Sequence, residues 1–260
     1  VHRTLEPGEY LIYKRNFVIP KGFNKGRVFI NFGAVDQIAT VFINGNNVAT
    51  HKGGYTSFKF EITDYVTDGE NEIKVSCLDF SDVNAFSRGK QKTKRGGIWY
   101  TCQSGIWQSV WLESTPKKYL EKVKITPNYD ESSVSFKYFG CDDVEVSIYD
   151  GDSLIAKTKD TTVSIPDFKS WSPESPFLYD VVFSACGEEI KSYFGMRKFS
   201  VGNDEKGVKR LFLNNKPYFH NGVLDQGYYP DGLLTPPAND AMKFDVECVK
   251  SAGLNTIRKH

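Results

Sequence analysis
Up to about residue 200 the chain is built from short runs in which apolar and polar residues alternate, each run ending in a turn signal. In Phe58-Lys59-Phe60-Glu61-Ile62 every second residue is apolar, the period of a strand with one buried face. Ile38-Ala39-Thr40-Val41-Phe42-Ile43 is rich in β-branched residues and runs into Asn44-Gly45, a pair that tolerates positive φ at both centres of a tight hairpin. Asp68-Gly69 marks another turn, ahead of a strand over 73–77. Ile106, Gln108, Val110 and Leu112 alternate with Trp107, Ser109, Trp111 and Glu113, which reads as a further strand. Helical periodicity is almost absent, so residues 1–115 are expected to form an all-β sandwich.

Pro116-Lys117-Lys118 reads as a linker. Strands are then predicted over 121–127, 133–139, 144–149, 153–158 and about 177–185, with 190–201 closing the set. Spacing of about ten residues suits a seven-stranded immunoglobulin-like sandwich, here over 116–202. The two prolines in Trp171-Ser172-Pro173-Glu174-Ser175-Pro176-Phe177-Leu178-Tyr179 fix an extended corner leading into a strand. Over 203–260 the pattern changes. Arg210–Phe219 reads as a hairpin around Asn214-Asn215, and Gly222-Val223-Leu224 as a short strand. A helix is predicted over 238–252, with Asn239 or Asp240 at its N-cap, Gly253 at C′ and a stripe of Met242, Val246 and Val249. Residues 254–258 read as a second strand. Strand, helix and strand make one βαβ unit, which needs more parallel strands or a covering layer. None follows, so the expectation is a truncated barrel, or one that a second polypeptide completes.

Composition narrows the classes of function. Of the 260 residues 40% are hydrophobic and 25% charged, ordinary for a globular chain, and the aromatic share of 14% fits β-structure or the binding of flat apolar faces. A net charge of +1 supplies no field for nucleic acid or an anionic membrane, and no apolar run is long enough to span a bilayer. Cys77, Cys102, Cys141, Cys186 and Cys248 form no CxxC pair and read as free thiols, which leans towards a reducing compartment such as the cytoplasm. The chain starts at Val1 without a signal pattern, so its native amino terminus is expected to be missing. His2, His51, His220 and His260 are too scattered to suggest a metal site, and no cofactor is expected.

Candidate chemistry concentrates in two places. Residues 96–113 hold Trp99, Tyr100, Trp107 and Trp111 among Gly, Ser, Thr and Gln, a set suited to stacking on sugar faces and bonding hydroxyls. Trp107 and Trp111 read mainly as sandwich core, whereas Trp99 and Tyr100 lie in a Gly-rich loop, where function concentrates. Arg88-Gly89-Lys90-Gln91-Lys92-Thr93-Lys94-Arg95 is either a solvated basic loop or a contact for a charged ligand or another domain.

Taken in order, the 96–113 segment, Trp171–Tyr179, Phe194-Gly195-Met196-Arg197 and the stretch from Asn215-Lys216-Pro217 to Gly222–Gly232 are similar to glycoside hydrolase family 2, the β-galactosidase and β-glucuronidase type. The resemblance spans nearly the whole chain. It implies a jelly-roll sugar-binding domain, an immunoglobulin-like domain and the start of a (β/α)₈ barrel, with Asn255–His260 as its second strand. It also implies a carbohydrate substrate and a full-length enzyme that can be a homo-oligomer. Retaining members use two glutamates on later barrel strands, the acid/base following an Asn. Asn71-Glu72 lies in the wrong domain for that role, and past residue 207 the only glutamate is Glu247, mid-helix. Both catalytic glutamates are therefore expected to lie outside this chain. Asp225 and Tyr228 follow the first barrel strand, while Arg258 and His260 end the second. With Trp99 and Tyr100 they are the expected substrate-lining residues. A stand-alone carbohydrate-binding or assembly module is the alternative.

Overall fold
The structure is a computed structural model that describes residues 5–260. His2 lies outside the described residues. The chain divides into two compact units, one made of the residues up to Lys117 together with Gly222–His260, the other of Lys118–Asn221.

In the first unit, strands Glu9–Ile19, Gly69–Asp79, Ile38–Ile43 and Asn46–Lys52 pair in that spatial order. Phe58–Glu61, Arg27–Phe32 and Val110–Thr115 make a second sheet. Val28, Phe32, Val41, Ile43 and Ile62 are fully buried between them, and the Phe32 and Phe58 rings stack at 4.8 Å. Each such side chain stabilises the fold by roughly 1.5–3 kcal/mol through apolar burial. The Asn44-Gly45 turn forms as its residues predict, with φ of 48° and 82°. The Asn44 side chain donates to Tyr65 O and to Asn71 Oδ1, and Asn71 in turn holds the Thr67–Gly69 backbone. Glu72 ion-pairs with Lys14 at 2.6 Å. Asn71-Glu72 is thus a turn and sheet-face element.

The strand expected over 106–112 is interrupted. Gly105–Ile106 pairs with Val35–Asp36, the chain then leaves that partner, and Val110–Thr115 pairs with Arg27–Phe32. At the crossing Gly33 N donates to Ser109 O, and a Cβ on Gly33 would lie 2.7 Å from Gln108, so only glycine fits. This departure corrects the reading of the tryptophans as core. Trp107 is half-buried and donates Nε1–H to Gly54 O, and Trp111 is 42% exposed.

The second unit has seven sandwich strands. Lys122–Asn128, Ser133–Phe139 and Thr162–Ser164 form one sheet, and Ser153–Thr158, Val144–Asp150, Tyr179–Ala185 and Glu188–Phe194 the other. Its core is aromatic: Phe136 meets Phe183 edge-on at 5.5 Å, and Tyr179 stacks on Phe194. Cys141 and Cys186 are disulfide-bonded, which corrects the reading of five free thiols. Their separation of 45 residues concealed the pairing. The Trp171 corner is welded to the later motif, with the Arg197 guanidinium 4.4 Å above the Trp171 ring, Gly195 packed beneath it and Asn214 donating to Trp171 O. Strands Phe199–Asn203, Lys209–Leu213 and Lys216–Pro217 belong to this unit. The stretch 203–221, read as the start of the third domain, therefore groups with the second.

The expected βαβ unit sits in the first unit. Gly222–Asp225 pairs in parallel with Thr256–Lys259, and helix Asn239–Ser251 connects them. A Cβ on Gly222 would lie 2.2 Å from Thr256 O, so glycine allows the close pairing. The helix N-cap is Ala238, without a side-chain cap, instead of Asn239 or Asp240, which lie inside the first turn. Gly253 occupies the C′ position with φ +78°. Met242 and Val246 of the apolar stripe are exposed.

Candidate functional site
Where the Gly-rich loop of the first sandwich meets the residues after Asp225, a cleft of about 190 Å³ opens. Its walls are Tyr55, Ser87–Gln91 and Tyr100 on one side and Gln226, Tyr228, Leu234 and His260 on the other. Side chains separated by more than a hundred residues lock the two sides together. The Tyr100 and Tyr228 rings stack at 4.4 Å and 15°. Tyr228 donates its hydroxyl to Thr101 O at 3.0 Å, Leu234 N donates to Gln103 Oε1 and Thr235 Oγ1 to Trp107 O.

The loop wall is held from below by Gln91, which is buried. Its Nε2 donates to Tyr55 Oη at 2.6 Å and to Arg88 O at 2.7 Å, and its Oε1 accepts from Gln103 N. Backbone bonds Tyr100 N to Lys90 O and Lys92 N to Tyr100 O fix the loop strands. Burial, followed by the nearby Asp36, pushes the Tyr55 hydroxyl up to about 12. Burial likewise raises Tyr228. Both stay neutral hydrogen-bonding groups.

Asp36 is 3% exposed, and one of its carboxyl oxygens has no hydrogen-bond partner. It packs against Gly54, where a Cβ would lie 2.3 Å from Oδ1. Burial, reinforced by Asp79, lifts its pKa to about 8, so the group is protonated at neutral pH. Asp79 accepts from Ser81 N at 2.6 Å and from Ser104 Oγ.

Three expected substrate-lining residues, Tyr100, Tyr228 and His260, meet on this cleft. Asp225 does not. Its carboxylate pairs with Lys259 at 2.7 Å and accepts from Gly227 N, and Lys259 holds it below the usual carboxylate range. It lines an adjoining groove, behind the Tyr100–Tyr228 pair. Arg258, on the strand that ends just before His260, is exposed and off the cleft. Trp99 is also off it, with the Lys92 ammonium 4.4 Å from its ring. Tyr55 carried no sequence signal for a site, Arg88, Lys90 and Gln91 had only their place in the basic run, and Gln226 only its place in the Gly222–Gly232 stretch. No carboxylate lines the cleft. Glu247 is exposed on its helix beside Lys243. No group of three potential metal ligands, and no helix long and apolar enough to cross a membrane, occurs among the described residues. A larger groove of about 550 Å³ between the edge strands Glu9–Ile19 and Val110–Thr115 is lined mostly by apolar side chains, with Lys14 and Arg15 among them.

Residues 3–116 match the family model "Glycosyl hydrolases family 2, sugar binding domain". The chain is 23% identical over 274 residues to a β-galactosidase of Streptococcus thermophilus, which covers 95% of this chain and 25% of that protein. It is 23% identical to a β-glucuronidase of Streptococcus agalactiae, with 95% and 44% covered, and 28% identical to a β-galactosidase of Priestia megaterium, with 95% and 26% covered. It therefore spans less than half the length of these relatives. In fold it is similar to the crystal structure of Ruminococcus gnavus β-glucuronidase, with a TM-score of 0.83 at 20% identity over 97% of this chain and 45% of that one. A Faecalibacterium prausnitzii β-glucuronidase gives 0.80 at 23% identity, covering 98% and 47%. The likeness is one of fold, two sandwiches with the first parallel pair.

Proposed function
We propose that this chain, whose residues 3–116 match the sugar-binding domain of glycosyl hydrolase family 2, is the sugar-facing, non-catalytic part of a retaining β-glycosidase of the β-galactosidase or β-glucuronidase type. The observation that carries the reading is the cleft in which the stacked Tyr100–Tyr228 pair, Gln226 and His260 face a loop of that sandwich. Its volume suits one sugar ring. Aromatic faces meet the C–H faces of the ring, and the imidazole and amide bond its hydroxyls. In this reading Asp225 serves the adjoining groove, and Trp99 and Arg258 reach only a ligand longer than one ring. The parallel pair and its helix are the start of the (β/α)₈ barrel.

Retaining hydrolysis requires two carboxyl groups about 5–5.5 Å apart, a nucleophile and an acid/base. The cleft offers none. Glu72 and Glu247 are engaged elsewhere, by Lys14 and Lys243. The reacting pair is thus assigned to parts of the enzyme other than these 260 residues. Incubation of the purified chain with p-nitrophenyl β-D-galactoside and β-D-glucuronide is expected to give no turnover. Titration with methyl β-D-galactoside at millimolar concentration is expected to shift the ring resonances of Tyr100 and Tyr228. Turnover by a clean preparation would remove the non-catalytic assignment, and unmoved tyrosine signals would remove the sugar-facing one.

A further inference from the structure
The first sandwich is open along one side. Its four-stranded sheet ends on Glu9–Ile19 and its three-stranded sheet on Val110–Thr115, and the groove of about 550 Å³ lies between these two unpaired edges. The floor of the groove is the interior itself, Phe32, Ile73 and Val75. Along Glu9–Ile19 every second side chain faces that interior, and Leu11, Tyr13, Phe17 and Ile19 pack into it. Arg15 falls on the same face, opposite Ile73 in the register, and lines the groove. It is exposed, and it makes no ion pair, hydrogen bond or ring contact among the described residues. Lys14, on the outer face, is by contrast paired with Glu72. On the far bank Val110 stands opposite Phe32 and faces inward with it, yet it is 40% exposed. Two inward-facing positions left in solvent, one apolar and one cationic, show that a layer of side chains is missing between the edges.

We propose that this groove takes up an extended peptide segment. The segment adds as a β-strand to the free edge of Glu9–Ile19, sets apolar side chains over Phe32, Ile73 and Val75 at alternate positions, and brings one carboxylate to Arg15. The backbone argues for a strand. An edge of 11 residues offers unpaired N–H and C=O groups at the spacing a new strand needs, and every second side chain of that strand then reaches the groove. The charge argues for the acid. An inward-pointing arginine opposes an apolar strand without a counter-charge, because the guanidinium would be covered with no partner. It accepts a strand that supplies a carboxylate, which the guanidinium grips with two N–H donors. The edge thus excludes nonspecific pairing and admits one class of partner. The groove shares no lining residue with the tyrosine cleft, so the inference does not rest on the sugar reading.

The test titrates the whole 260-residue chain with a lysine-flanked peptide in which valine alternates with threonine and one valine is replaced by glutamate. Otherwise identical peptides carry glutamine or lysine at that place. Shifted NMR signals and slowed hydrogen exchange are expected at the backbone amides of Glu9–Ile19. The glutamate peptide should bind about fivefold or more tighter than the glutamine one, with a gap that narrows as salt is raised. Arg15→Gln should close the gap. Arg15→Glu, at an exposed position without partners, should keep the melting curve of the parent and reverse the order, so that the lysine peptide binds best. Unmoved amides with every peptide would remove the strand site. Equal binding of the three peptides, or an order that Arg15→Glu leaves intact, would remove the recognition of a carboxylate. Protection of the same amides without peptide as the protein is concentrated would assign the edge to a second copy of the chain. Shifts with laurate but with no peptide would assign the groove to a small apolar acid. Either of these last results overturns the proposal.

Discussion
The two units solve the same packing problem differently. The second buries a mostly apolar and aromatic interior, in which Ser133, Ser147 and the hydroxyls of Tyr138 and Tyr179 are the buried polar groups. The first buries Asn31, Asp36, Gln37, Asn71, Asp79, Ser81 and Gln91. Four of them, Gln37, Asn71, Asp79 and Gln91, hold loop backbone. Gln37 ties Phe80, Ser81 and Asn84 together, and Gln91 carries the wall of the cleft. A polar interior costs desolvation, and one Asp36 oxygen is left unpartnered. The unit that presents a site is the one that accepts this cost. The other unit is stapled by a disulfide and filled with rings.

Four substitutions and one chemical treatment would break or sharpen that contrast. The largest effect is expected from Phe183→Ala, which empties the centre of the aromatic core of the second unit. It should cost about 3–5 kcal/mol in urea unfolding, and a cost near 1 kcal/mol would mean a loosely packed core. Reduction of Cys141–Cys186 comes next. Opening a loop of this length should lower stability by about 2–4 kcal/mol, read as a drop in the melting temperature of the second unit with dithiothreitol.

Asp36→Asn should act in the opposite direction. The folded pKa of about 8 lies above the unfolded value, so the folded state binds the extra proton and stability falls as pH rises from about 4 to 8. The variant lacks this titration. Its stability relative to the parent should grow steadily across that window, with a slope of up to about 1.4 kcal/mol per pH unit. A flat difference between pH 5 and 8 would show that Asp36 is not a buried acid. Tyr228→Phe removes the bond to Thr101 O and should cost about 1 kcal/mol, measured by thermal unfolding of the first unit. Glu247→Gln breaks only an exposed pair with Lys243, and its melting curve should overlay that of the parent.

Local chemistry made much of the fold legible. The Asn44-Gly45 and Asn214-Asn215 turns, the alternating strands of both sandwiches and the glycine that ends the helix follow from residues adjacent in the chain. What failed locally did so for a tertiary reason. The run 106–112 keeps its alternation on paper, but the chain switches from one partner strand to another at Trp107–Ser109, and the two tryptophans leave the core with it. The Asn239 or Asp240 cap was set one or two positions past the observed N-cap, Ala238.

The opening pattern of short alternating runs thus determined the class of fold and the order of its parts, since strand period and turn chemistry act over a few residues. Only the tertiary structure decided the site. Tyr55, Gln91, Tyr100, Tyr228 and His260 form one cleft because a sandwich loop and the first parallel strands meet, and no local preference encodes a meeting between residues 55 and 260. The same holds for Cys141 and Cys186 and for the uncharged Asp36: pairing and burial belong to the packed interior, where distance along the chain no longer measures distance in space.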